Sequence, residues 1–198
     1  MSGHSPQNGL GRILAKAPCC RTTSQQGSGQ AYVALAAAAA RGEHQDPLLG
    51  GEQPKFTAYV ECPEGPTLVL GKFTAPTDSE ASQRWQDLLL AEHLALGLLR
   101  EHGLPAAHST IINHGGQRFL EVRRFDREGA RGRRCLVSIG TLDTEFVGSG
   151  GSWPQMTRAL VAAGIVQQEV IPAVDLLWVF GTLIGNTDMH RGTRSFPT

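Results

Sequence analysis

Leu183-Ile184-Gly185-Asn186-Thr187-Asp188-Met189-His190 closes the stretch Ile171–Ile184, a helical segment with few charges that is interrupted only by Pro172 and Asp175. Within it Leu176, Leu177, Trp178, Val179, Phe180, Leu183 and Ile184 are apolar nearly all round. That pattern predicts a helix at the centre of a helical lobe, covered on every side. An aspartate just beyond such a helix can orient an attacking hydroxyl and accept its proton. Asp188 with His190 also makes an ordinary turn cap, and these residues alone leave both possibilities open.

Outward from this point, composition narrows the classes. The chain has 198 residues, enough for one domain or one domain with an appendage. Its 18 basic and 18 acidic side chains cancel, which weakens any global electrostatic case for nucleic acid or an anionic membrane. No apolar run reaches membrane-spanning length, and the N-terminus lacks signal-peptide order, so the expected location is the cytoplasm. Cys19, Cys20, Cys62 and Cys135 form no CxxC, and His102 with His108 makes no metal pattern, so no structural zinc is expected.

Residues 1–45 read as a flexible leader, with at most a short helix over Leu10–Lys16 and an alanine-rich helix within Tyr32–Arg41 acting as a tether. Lys55–Glu61 and Thr67–Phe73 are β-forming and flank the turn Pro63-Glu64-Gly65-Pro66, which predicts a hairpin whose second strand carries Lys72. Thr77-Asp78-Ser79 supplies N-cap chemistry for a helix running to about His102, where Gly103 and Pro105 stop it. Leu88, Ala91, Ala95, Leu98 and Leu99 predict its buried face, with Glu92 at the edge. A second hairpin joins His108–Ile112 to Gln117–Val122 across Asn113-His114-Gly115-Gly116. Arg123-Arg124-Phe125-Asp126-Arg127 follows, then a basic loop, then helices over Gln155–Ala163 and Pro172–Ile184.

Glycine turn, strand, lysine-bearing strand, glutamate-bearing helix, two strands, connector, helical lobe and aspartate loop follow in the element order of a protein-kinase-like fold. Phosphoryl transfer explains the residue types. Glycine lets backbone amides approach phosphate oxygens, a strand lysine neutralises phosphate charge, and a helix carboxylate can hold that lysine. Each residue also has a plain alternative: Gly50-Gly51 as a turn, Lys72 and Glu92 as solvated charges, and the arginines of 123–134 as a solvated loop.

Gly51-Glu52-Gln53-Pro54-Lys55-Phe56, Val122-Arg123-Arg124-Phe125-Asp126-Arg127 and Gly185-Asn186-Thr187-Asp188-Met189-His190 resemble the HipA family in its order and spacing, over roughly residues 50–190. That family comprises serine/threonine kinases known chiefly as toxins of toxin–antitoxin modules. The resemblance implies an α+β, HipA-like kinase fold with a β-rich N-lobe over 46–125 and an incomplete helical C-lobe over 126–198. It implies ATP and Mg²⁺ as cofactors, a protein substrate, a possible antitoxin partner, and DNA only indirectly through that antitoxin, with no membrane. Gly50, Gly51 and Gln53 fall on the ATP loop. Lys72 matches the phosphate lysine, and Glu92 lies on the following helix. Arg123 and Phe125 fall on the adenine hinge, with Asp126 beside the ribose. Asp188 matches the catalytic aspartate, and His190 its support.

Departures accompany the match. Thr193 stands where the family has a metal-binding asparagine, and the aspartate that would hold magnesium is expected beyond Thr198. Pro47 and Leu48 replace serines that precede the glycines. The chain is therefore expected to stop just after the catalytic loop, without the helices that would cover Pro172–Ile184, and to be inactive or weak as a kinase. No metal ligand is assigned. The alternative is a non-catalytic, pseudokinase-like fragment or regulator that binds nucleotide or an antitoxin.

Overall fold

The computed structural model describes residues 14–18, 25–43, 53–62, 65–128, 132–190, 192 and 195–197. The chain divides into two compact units, the first ending at Gly132 and the second beginning at Arg133.

Strands β1 (Leu14–Pro18), β2 (Lys55–Cys62), β3 (Gly65–Phe73), β4 (Ser109–His114) and β5 (Gln117–Arg123) build the sheet of the first unit, with helices α1 (Gln25–Ala40) and α2 (Glu80–Glu101). The strand order is β1-β2-β3-β5-β4. All neighbours are antiparallel except β1 with β2. Both expected hairpins form. Gly115 and Gly116 take φ of 59° and 73°, the left-handed pair that a two-residue hairpin turn requires.

Side chains alternate across the sheet, so register assigns the faces. Phe56, Ala58, Val60, Val69, Phe73 and Phe119 cluster with Tyr32, Leu35, Ala36 and Ala39 of α1. Gly71 lies opposite Phe56, and a Cβ there would collide with the Phe56 ring. The alternate residues, among them Lys72, Ser109 and Arg118, meet α2. The alanine-rich segment, expected as a tether, is thus a layer of the core, because Tyr32 and Leu35 give it an apolar edge to bury. Leu14–Pro18 is a strand rather than part of a short helix: pairing with the edge of β2 overrides a weak local preference.

Helix α2 starts at Ser79, whose side chain accepts from the Ser82 amide, and stops at His102 before left-handed Gly103. Its caps are as expected, but its buried face is not. Leu89 and Ser82 are buried, while Leu88 and Leu98 are exposed. Apolar residues occur around the whole helix, so periodicity could not choose a face. Polar contacts do so: His93 meets Ser109 Oγ at 2.9 Å, Arg118 donates to the Gln86 carbonyl at 2.9 Å, and Ser82 donates to the Ala75 carbonyl at 3.0 Å.

After the two-residue strands β6 (Arg127–Glu128) and β7 (Gly132–Arg133), the second unit contains β8 (Leu136–Ser138), α3 (Ile139–Phe146), α4 (Trp153–Ala162), a 3₁₀ turn (Gln168–Val170), α5 (Ile171–Leu183) and β9 (Ser195–Pro197), with β9 antiparallel to β8. Ile139, Trp153, Met156, Leu160 and Val174 are its buried centre. The expected helices appear as α4 and α5. A capping box between Ser152 and Gln155, with Pro154 inside it in the first turn, starts α4 two residues earlier than the sequence predicts. The short α3, capped by Ser138, was not foreseen. Nor is α5 covered on every side: Val174 and Gly181 are buried, but Leu176, Val179, Leu183 and Ile184 are exposed. Each unit combines helices with β-structure, an α+β content in which the five-stranded sheet of the first is mainly antiparallel.

Candidate functional site

Lys72 lies near the end of β3, and Glu92 lies midway along α2. The Lys72 ammonium donates to both Glu92 oxygens at 2.7 Å. Neither residue needs the other for local structure. They meet because Lys72 points to the α2 face of the sheet and because His93, the residue next to Glu92, is bonded to β4. The result is a partly exposed cation on a strand, aimed by a helix carboxylate. A second anionic group, such as a phosphate oxygen, can share the ammonium's remaining donor.

At the end of β5 the chain turns through Arg124-Phe125-Asp126. The Arg123 amide donates to the His108 carbonyl at 2.9 Å, and the Arg124 amide to the Leu68 carbonyl at 3.0 Å. Both amides are engaged within the unit, at the stretch that the resemblance assigns to the adenine hinge. The Arg123 guanidinium lies 3.7 Å from Cys62 Sγ. Phe125 is exposed.

Asp126 sits in a fork of two arginines. Arg124 donates to it through Nε at 2.9 Å and Nη2 at 2.7 Å, and Arg127 through Nη1 at 2.7 Å. The Arg124 hydrogen bond, reinforced by both positive charges and opposed by burial, holds the carboxyl below the usual carboxylate range. The resemblance puts Asp126 beside a ribose, and its carboxylate bonds the arginines of its own turn. Gln53 is partly buried, and its Nε2 is a buried donor with no hydrogen-bond partner among the described residues. Gly50 and Gly51, assigned to the ATP loop, lie outside the described residues.

Asp188 and His190 come together in the second unit, with His190 Nε2 at 3.1 Å from Asp188 Oδ1. The Gly192 amide donates to His190 Nδ1 at 3.1 Å. An accepting Nδ1 carries no proton, so the ring's proton is on Nε2, directed at the aspartate. The Asp188 amide in turn donates to Asn186 Oδ1 at 3.0 Å, which shapes the bend after Gly185. Thr193 lies outside the described residues. Among those described, no three His, Cys, Asp or Glu side chains gather as a metal-binding group.

Several residues that shape these sites were not singled out from sequence. Trp153 donates from its indole to the His190 carbonyl, and Arg124 and Arg127 clamp Asp126. Glu121, buried on the α1 side of the sheet, accepts from the Tyr32 hydroxyl. Burial pushes its carboxyl above the usual carboxylate range, with the Tyr32 hydrogen bond and the Arg123 charge opposing. The Arg-x-Asp-Arg spacing was a legible signal for the clamp. For Trp153 and Glu121 the partner is distant in sequence, and none was legible.

No helix among the described residues is long and apolar enough to cross a membrane. Residues 48–194 match the family of HipA-like C-terminal domains. The chain is also similar to Toxin YjjJ of Escherichia coli strain K12, with 45% identity over 166 residues. That span is 83% of this chain but only 38% of the relative, so the chain corresponds to less than half of that protein's length. The family match takes in Lys72, Glu92, the Asp126 turn and the Asp188–His190 loop, and on this evidence the chain belongs to the HipA-like C-terminal domain family.

Proposed function

We propose that this chain carries the nucleotide-binding and hydroxyl-activating parts of a HipA-like, kinase-fold protein serine/threonine kinase, in which the γ-phosphate of ATP passes to a protein hydroxyl. The observation that carries this reading is the Lys72–Glu92 pair, with its ammonium bonded to both carboxylate oxygens at 2.7 Å. Held this way, Lys72 places positive charge where a triphosphate would need it. Asp188, with His190 Nε2–H at its side, accepts the proton of the attacking Ser or Thr hydroxyl as its oxygen bonds to phosphorus and the bond to ADP breaks. Gln53, with its buried donor, and Phe125, at the exposed turn, are the further nucleotide contacts we assign. Magnesium would supply charge neutralisation on the phosphates. The described residues gather no ligand set for it.

The relative named as a toxin supports an antitoxin as partner; a cytoplasmic setting, with DNA reached only through that antitoxin, completes the proposal. A second reading is favoured by Thr193 at the position of the family's metal-binding asparagine: the chain then binds nucleotide or antitoxin with little or no transfer.

Calorimetric titration with ATP, with and without magnesium, tests nucleotide binding. Binding in the micromolar range that disappears in Lys72→Met is expected. Labelled γ-phosphate transfer that disappears in Asp188→Asn separates the kinase from the binding module. Absence of ATP binding in a chain that melts cooperatively would overturn the kinase reading and leave only antitoxin binding from the second.

A further inference from the structure

The Asp188–His190 loop has no regular secondary structure, yet it is tied down at two successive residues, through the main chain of His190 and the side chain of Met189. At His190 the carbonyl accepts from Trp153 Nε1 at 3.0 Å. The same indole ring packs edge-on against Trp178, with centroids 5.6 Å apart and planes at 65°, so it is braced by α5. At Met189 the side chain turns inward onto the cluster of Ile139, Trp153, Met156, Leu160 and Val174. Its thioether lies over Gly181, where an added Cβ would come within 2.5 Å of Sδ. Asp188 and His190, on either side of Met189, therefore project outward from a backbone that α4 and α5 hold from below.

We infer that Trp153 is a positioning residue for the Asp188–His190 loop, with Gly181 providing the seat for Met189. Trp153 touches no reacting atom. Its indole N–H fixes the His190 carbonyl, which sets where the imidazole begins and hence the Nε2–Asp188 contact. An unanchored exposed loop would sample many backbone states, and a general base gains from being held in one. The contribution to catalysis rests on the kinase reading above; the anchoring itself does not.

The test uses the full chain and Trp153→Phe, which keeps an aromatic ring against Trp178 and removes the donor. Hydrogen exchange at the amides of 188–192 is expected to quicken about fivefold, the equivalent of one hydrogen bond of ~1 kcal/mol, with a cooperative melt retained. Where transfer is measurable, kcat normalised to the folded fraction should fall while KM for ATP holds; loss of folded protein alone would leave the normalised value unchanged. Loop exchange that stays at the wild-type rate in a folded Trp153→Phe protein would overturn the inference. If that variant does not fold, the wild-type protein decides: the Trp153 indole proton should exchange more slowly than that of exposed Trp85, and equal rates would count against the anchor. Faster loop exchange in a chain whose wild type transfers no phosphate would leave the anchor standing and the kinase reading refuted.

Discussion

Lys72 and Glu92 meet with their side chains 21% and 35% exposed, whereas His190 and Asp188 meet with theirs 68% and 74% exposed. The first pair is aimed by its surroundings: strand register points Lys72 to one face, and bonds on neighbouring residues lock the rotation of α2. The second pair is aimed by its main chain, through Trp153, Met189 and the Asn186 cap. Two polar pairs of similar length thus rest on different supports. A pair set in a packed layer shares the fate of that layer, while an exposed pair on an anchored loop can lose a charge with little effect on folding.

Removing the layer has the largest expected effect. Phe119 is fully buried, and its ring lies 5.7 Å from Tyr32 and 6.4 Å from Phe73. Phe119→Ala should cost about 3–5 kcal/mol by denaturant melting of the first unit. ATP binding that needs the Lys72–Glu92 pair should weaken with it. Binding unaffected in a destabilised variant would show that the pair does not depend on the sheet core.

Acidity gives a smaller handle, and the two perturbed carboxyls have opposite signs. Glu121 holds its proton more tightly folded than unfolded, so its contribution to stability falls as pH rises from the unfolded carboxylate range through its raised folded value. Glu121→Gln can still accept from Tyr32 and should flatten that decline, appearing as a relative gain at neutral pH. Asp126 holds its proton less tightly folded. Its contribution is present above the unfolded value and is lost as pH falls through the depressed folded one. Asp126→Asn should remove that acid-side loss and be less stable than wild type at neutral pH. Melting curves across pH for the two variants check both signs, and parallel wild-type and variant profiles would refute the assignments.

The exposed pair should respond least. Asp188→Asn should shift stability by no more than about 0.5 kcal/mol, because its side chain is largely exposed. A larger loss by the same melting assay would make the loop a structural element rather than a presented functional group.

Much of the first unit was legible. The β4–β5 hairpin follows from two glycines between β-forming runs, and the start of α2 from the cap chemistry of Thr77-Asp78-Ser79. The Asp188–His190 segment was legible as a loop because Gly185 ends an apolar helix. Other features depended on partners far along the chain. Leu88, Leu89 and Leu90 are equally apolar, and only contacts from β4 and β5 select Leu89 for burial. Gly71 looks like any strand glycine until Phe56 crosses it. Arg123 resembles a free hinge residue until its amide meets His108.

Local chemistry determined where this chain turns, caps and alternates, because those properties depend on residues within a few positions of one another. By itself the sequence also carried the family motifs and thereby the candidate roles of Lys72, Glu92, Asp188 and His190. Tertiary structure alone decided that the alanine-rich helix is a core layer, that Lys72 reaches Glu92, that Asp126 is clamped by its own arginines, and that Trp153 anchors the aspartate loop. Each of those depends on which faces meet once layers pack, and short-range periodicity does not encode that choice where a helix is apolar on several sides.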